Sequence, residues 1–297
     1  FVQHADHRPL FLFLFFDGTH FSYSFPARSA RFRPFWRGGG SMEASQVGSA
    51  LIERRARNSA YEVDWKLDAF LTWFEARRGG RPMVLLSGDH GEEFGEQGHI
   101  GHSSAVTEQQ VHVPMVLLDS TVAPTRHTEV TSHIDLLPTI FGLLGDTHAP
   151  ASYSDGLPML TSPAGRFVLT SVGWEPRFAV IGPDLKVTFN GLDAGLGRVG
   201  VTDPCDRFLP DAQARFEADA LNILRAFRNE LPLPGGDTTR APAWRADPAR
   251  LARSMARPIW LAKASRVRNW SRVKCRDGST GLTPRTPTTP RVVLSGW

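Results

Sequence analysis

The residues best suited to chemistry lie in one stretch, 83–102, which reads MVLLSGDHGEEFGEQGHIGH. Asp89 and His90 sit side by side, Glu92, Glu93 and Glu96 follow, and His99 and His102 close the run among glycines. Carboxylate and imidazole together suit a divalent metal, Zn²⁺ or Mn²⁺ more than Ca²⁺ or Mg²⁺, which favour all-oxygen shells. Imidazoles at the same place could also hydrogen-bond an ester or move a proton. The competing reading is an acidic surface loop with incidental histidines.

These side chains need elements to position them. Residues 83–86 are an apolar run closed by Ser87-Gly88, which predicts a buried strand ending in a tight turn at Gly91. An Asp-His pair at the carboxyl end of such a strand falls where ligands gather in α/β folds. Residues 10–16 are a second unbroken apolar run, predicted to be a strand covered on both faces. It runs into Asp17-Gly18-Thr19-His20 and so delivers another imidazole. Residues 27–41, rich in Arg, Gly and aromatics, predict a solvent-side loop.

From about 49 to 78, Ala60, Val63, Leu67, Phe70, Leu71 and Phe74 recur at helical steps, and Gly79-Gly80 stops the pattern. That predicts a β-α-β unit with a right-handed crossover into the 83–86 strand. Residues 113–118 read as a strand. Ser132 with Asp135 reads as a capping box, starting a helix whose apolar face is Ile134, Leu137, Ile140, Phe141 and Leu144, with Gly145 at its end. Short strands are predicted at 167–171, 178–181 and 185–189, and a helix at 212–230. The fold class is α/β: a largely parallel sheet flanked by helices, with a small antiparallel portion near 167–190.

Gly88-Asp89-His90-Gly91-Glu92, continuing to His102, resembles the second metal motif of the alkaline phosphatase/sulfatase superfamily. The stretch FLFLFFDGTHFSYSFP resembles, within it, the inner-membrane sulfatase-like proteins related to phosphoethanolamine transferases. The resemblance spans about residues 8–190. It implies Asp89 and His90 as metal ligands, and His20 and His102 as catalytic groups on the substrate side, His102 contacting the ester or a second metal. It implies a metal-dependent hydrolase or transferase acting on sulfate or phosphate esters, with a lipid head group as one candidate substrate.

The nucleophile and the first two ligands of that family have no counterpart before His20, and the first methionine is Met42, so the sequence reads as part of a longer chain. The resemblance implies a missing N-terminal anchor in the inner membrane, with this domain on the periplasmic face. A fragment of this kind would expose a sheet edge and apolar surface, and would be inactive alone. Ser24-Phe25-Pro26-Ala27-Arg28 fits a loose sulfatase nucleophile pattern, but it follows His20 instead of preceding it and reads as coincidence. No lysine follows His102 as in the sulfate branch, since Ser103-Ser104-Ala105 come next, which points to the phosphoester branch. The rival reading is a non-catalytic periplasmic domain that binds lipid or a partner.

The charge is unevenly spread. Residues 240–297 hold thirteen Lys and Arg against two acids, while the rest of the chain carries 21 bases against 28 acids. Two domains are expected: residues 1–232, a partial sulfatase-like α/β domain, and 233–297, a basic Pro/Thr-containing tail without fixed structure. Nucleic acid is not expected as a partner, because Pro258 interrupts the basic amphipathic stretch at 249–276. Two cysteines are too few for a disulfide framework, and their spacing matches no metal site.

Overall fold

The structure is a computed structural model and describes residues 9–44, 46–172, 177–190, 199–230 and 292–295. Two 3₁₀ turns, Asp17–Thr19 and Ala27–Ser29, come before a short helix α1 (Ser41–Ala44) and the long α2 (Ser49–Arg78). Strand β1 (Val84–Ser87) leads into a small hairpin, β2 (Glu93–Phe94) and β3 (Ile100–Gly101). Then come α3 (Glu108–Val111), β4 (Pro114–Leu118), β5 (Arg126–His127) and α4 (Leu136–Leu143). A four-stranded antiparallel sheet follows, made of β6 (Val168–Ser171), β7 (Arg177–Ile181), β8 (Lys186–Asn190) and β9 (Gly200–Thr202). It is succeeded by α5 (Ala212–Glu230) and β10 (Val292–Ser295).

The central sheet has the order β1-β4-β10-β5. Its two faces explain why 83–86 shows no polar alternation. Val84 and Leu86 join Leu67, Leu71, Phe70 and Leu118 under α2, while Met83 and Leu85 join Met115, Leu117, Leu136, Leu143 and Met159 on the α4 side. A strand covered by a helix on each face has no solvent side to write polar residues on. α2 ends where expected, with Gly79 at φ +69° and its N–H on the Glu75 carbonyl. The Ser132/Asp135 capping box is present, and Asp135 also accepts from both terminal nitrogens of Arg166, at 2.5 and 2.8 Å. In the second sheet, Leu169, Val180, Leu185 and Val187 pack on Ile223 and Ala226 of α5.

Several expectations are corrected. The central sheet is not largely parallel: β1 pairs β4 antiparallel, β10 pairs β4 antiparallel, and among the described residues only β10 with β5 is parallel. Parallel neighbours need a crossover, usually helical, and between β1 and β4 the chain makes only a small hairpin and the single turn of α3. The predicted strand at 10–16 carries no assigned strand, so α2 closes no β-α-β ladder. Leu10, Leu12 and Leu14 pack near Phe70 and Phe74 of α2, whereas Phe11, Phe13 and Phe15 are 39, 58 and 68% exposed. Residues 27–41 are not a free solvent loop. Asn58 holds Phe32 through both backbone groups, at 2.7 and 3.0 Å, and Glu62 holds Arg28 and Ser29, at 2.7 and 2.5 Å. Of the tail expected at 233–297, residues 233–291 and 296–297 lie outside the described residues, and Val292–Ser295 pairs with β4 in the central sheet. Cys205, whose spacing in the sequence suggested no role, is disulfide-bonded.

Candidate metal and histidine centre

The carboxyl end of β1 opens into Gly88-Asp89-His90-Gly91. Gly91 is needed here less for φ than for space: its N–H donates to the Gln110 carbonyl at 2.9 Å, and a Cβ would collide with the Gln109 carbonyl oxygen. His133, on the turn leading into α4, lies behind this loop and donates from Nε2 to the Gly88 carbonyl at 2.8 Å. The β2–β3 hairpin then carries the chain round so that His102 stacks on His90, ring centroids 3.9 Å apart. His20 meets His102 edge-on at 5.4 Å. Three imidazoles separated by up to 82 positions in the chain are thus brought together.

Their orientation follows from the partners at Nδ1. His90 Nδ1 lies 2.8 Å from the Gly91 carbonyl and His20 Nδ1 2.9 Å from the Phe21 carbonyl. A carbonyl oxygen only accepts, so each Nδ1 carries the proton and each Nε2 keeps its lone pair. His102 Nδ1 lies 3.0 Å from Glu92 Oε2, the carboxylate–imidazole pairing that raises a ligand's basicity and fixes its tautomer. Glu92 is itself held by the buried Tyr23 hydroxyl at 2.9 Å. Burial pushes the Tyr23 pKa up, and the Glu92 carboxylate adds to it by charge and hydrogen bond, so Tyr23 stays protonated and donating.

The hairpin that carries His102 is pinned by Glu93, a buried carboxylate. One oxygen accepts from the backbone N–H of Gln97 and His99, at 2.8 and 2.9 Å. The other accepts from Thr107 Oγ1 and Gln110 Nε2, at 2.8 and 3.0 Å. Burial alone would raise the Glu93 pKa, but these four hydrogen bonds outweigh it and hold it below the usual carboxylate range.

Ligand atoms of His90, Glu92 and His102 all lie within 4.8 Å of one another, a set that could hold a metal ion. Of the residues named from sequence, His90, His102 and His20 converge. Asp89 reaches His90, with Oδ2 3.8 Å from Nε2, but its side chain is 73% exposed and stands outside this cluster. Glu92 was missed, although it lies two residues beyond His90. Its role shows only once Tyr23 and His102 close on it from distant parts of the chain. Arg28 of the nucleophile-like Ser24 pattern is paired with Glu62 and lies over Trp65, centroid 5.0 Å away.

The Sulfatase family model matches residues 1–146. That span contains His20, Asp89, His90, Glu92 and His102, and it is shorter than the 8–190 over which the sequence resemblance was read. The fold is a sulfatase-like α/β fold, and the resemblance to the alkaline phosphatase/sulfatase superfamily is supported over that span. Among solved structures, the chain is similar to a candidate sulfatase from Bacteroides thetaiotaomicron VPI-5482, with TM-score 0.42 and 14% identity. The match covers 79% of this chain and 56% of that one, so the chain spans little more than half of that protein's length. No curated protein matches it.

Proposed function

We propose that this chain supplies the metal and histidine side of a sulfatase-like hydrolase or transferase acting on phosphate or sulfate esters. The observation that carries the proposal is the convergence of His90, Glu92 and His102, with His20 edge-on to His102. The donor set fits a divalent metal of the Zn²⁺ or Mn²⁺ kind, being imidazole nitrogens with a carboxylate. His90 and His102 would hold the ion through nitrogen, and Glu92 would either ligate it or orient His102; Asp89 would turn in from its exposed position. When bound, the metal would acidify the attacking hydroxyl and neutralise charge on the transferred group. His20 would act through Nε2: bare, that nitrogen takes a proton from the attacking hydroxyl, and once it carries that proton it can hydrogen-bond the ester or protonate the departing oxygen.

The phosphoester branch is favoured by Ser103-Ser104-Ala105 after His102, where the sulfate branch would carry a lysine. A periplasmic setting on the face of the inner membrane belongs to the same proposal; a disulfide at Cys205 suits any oxidising compartment, the periplasm among them. The rival reading, a non-catalytic binding domain, is favoured by one observation: Asp89 faces solvent instead of the cluster.

The test is metal content and calorimetric titration with Zn²⁺ and Mn²⁺, on wild type and on His90→Ala/His102→Ala. Because the sequence offers no counterpart of the family's nucleophile, binding of 4-nitrophenyl phosphate and 4-nitrophenyl sulfate to the metal-loaded chain, not hydrolysis, is followed in parallel. Stoichiometric metal that the double variant loses supports the centre, and a preference for the phosphate ester supports the branch. An equal metal content in both proteins would sink the proposal. Stoichiometric metal without binding of either ester would favour the binding domain.

A further inference from the structure

A second feature lies on the other side of Tyr23 and does not depend on the metal reading. An open depression of about 420 Å³ is lined by Tyr23, Ser24, Phe25, Phe35 and three arginines, Arg33, Arg37 and Arg55. Its floor is fixed by the polar face of α2. Ser59 donates to the Ser24 carbonyl and to that of Gly18, while Asn58 and Glu62 hold Phe32, Ser29 and Arg28. Its walls are aromatic, with Phe25 and Phe35 edge-to-face at 5.2 Å and Arg37 over Phe35 at 5.7 Å.

The three guanidinium charges are not neutralised. Of the acids around them, Glu62 is committed to Arg28 and Lys66 and Glu53 to Arg57, while the Glu43 carboxylate lies against Gly38 without an ion pair to any of the three among the described residues. Among the described residues, Arg33, Arg37 and Arg55 form no ion pair; their protein partners are carbonyls and rings. Arg55 donates to the carbonyls of Tyr23 (3.4 Å), Trp36 (3.2 Å) and Gly38, and its guanidinium lies 4.9 Å from the Trp36 ring centroid. Arg33 donates only Nε, to the Ala30 carbonyl at 2.9 Å. Carbonyls satisfy donors without cancelling charge, and burial lowers the Arg55 pKa, as expected of a cation short of a counter-ion.

We infer that this depression is a binding site for a phosphate group, held by Arg33, Arg37 and the free terminal nitrogen of Arg55, with Phe25 and Phe35 carrying the apolar body attached to it. Guanidinium forks match phosphate oxygens, and three on a preformed floor provide more donors than one phosphate needs. Two sources share this chemistry, a phospholipid head group and a soluble phosphoester. Because the Tyr23 hydroxyl reaches Glu92, a ligand here lies next to the histidine centre.

The test uses the full chain in EDTA, so that the histidine centre holds no metal. Inorganic phosphate is titrated at constant ionic strength against chloride, read by calorimetry. Wild type should bind phosphate over chloride, and Arg33→Gln/Arg37→Gln should bind at least about tenfold more weakly. His90→Ala/His102→Ala should bind as wild type does. Both arginines are exposed, so folding should survive; Arg37→Gln alone, which loses only a ring contact, gives the same readout if the double variant melts early. Unchanged affinity in the arginine variants overturns the site, as does loss of binding in the histidine variant. Sedimentation with phosphatidylglycerol vesicles, against phosphatidylcholine alone, separates the sources. Arginine-dependent binding that phosphate displaces assigns a lipid head group, and arginine-dependent phosphate binding without vesicle preference assigns a soluble phosphoester. A failure of the metal centre leaves these results intact.

Discussion

Glu93→Gln isolates what holds His102 in place. Glu93 is fully buried, and each of its oxygens accepts two hydrogen bonds. Glutamine keeps the shape but replaces one oxygen with an NH₂ group, so two donors lose their acceptor and face another donor. Two hydrogen bonds to a charged group, at about 1.5–3 kcal/mol each, give a loss of roughly 3–6 kcal/mol. For a chain of this size the middle of that range lowers Tm by roughly 9–18 °C. The assay is thermal and urea unfolding at pH 7, repeated down to pH 3. The folded Glu93 pKa lies below its ordinary 4.5, so between those two values the unfolded chain binds more protons. The contribution of Glu93 is therefore whole above about pH 4.5 and is lost as pH falls through the folded value. The gap between wild type and variant should narrow in that window, because protonated Glu93 resembles glutamine. A Tm within about 3 °C of wild type at pH 7, or a gap as wide at pH 3 as at pH 7, would refute the reasoning.

Other perturbations probe the same frame. Tyr23→Phe removes the donor to Glu92, at a cost of about 1–3 kcal/mol, and should weaken Zn²⁺ binding by calorimetry less than His102→Ala does. Gly91→Ala forces the strand-end loop off the Gln109 carbonyl and should lower both Tm and metal stoichiometry; a variant that binds metal as wild type does would show that the close approach is unimportant. Lys186 is fully buried, paired with Asp206 and donating to the Val106 carbonyl at 3.1 Å, so it ties the second sheet to the loop after His102. Lys186→Met strands the Asp206 carboxylate and should cost about 3–5 kcal/mol in urea melts, partly restored by adding Asp206→Asn.

Much of this architecture was legible in the sequence, and the legible parts share a cause. The helix Ser49–Arg78, its Gly79 stop, the Ser132/Asp135 cap, the strand at Val84–Ser87 and the antiparallel portion at 168–190 are written in periodicities and caps that act over a few residues. The same locality let Asp89 and His90 be placed at a strand end. The central sheet's direction was not legible, because apolar runs state burial and not which neighbour runs which way. Nor was the fate of residues 10–16, whose alternate phenylalanines remain exposed. Asn58, Ser59 and Glu62 look like an ordinary polar helix face and are buried only because the loop at 18–32 folds onto them.

The sequence by itself determined which residues could do chemistry and the local elements that carry them, since residue type and short-range spacing are properties of the chain. Only the tertiary structure decided that His20, His90 and His102 meet, that Glu92 and Tyr23 support them, and that Asp89 faces outward. Those are contacts between segments up to 82 positions apart, and their geometry is set by how α2, the hairpin and the Tyr23 loop pack, which no local pattern encodes.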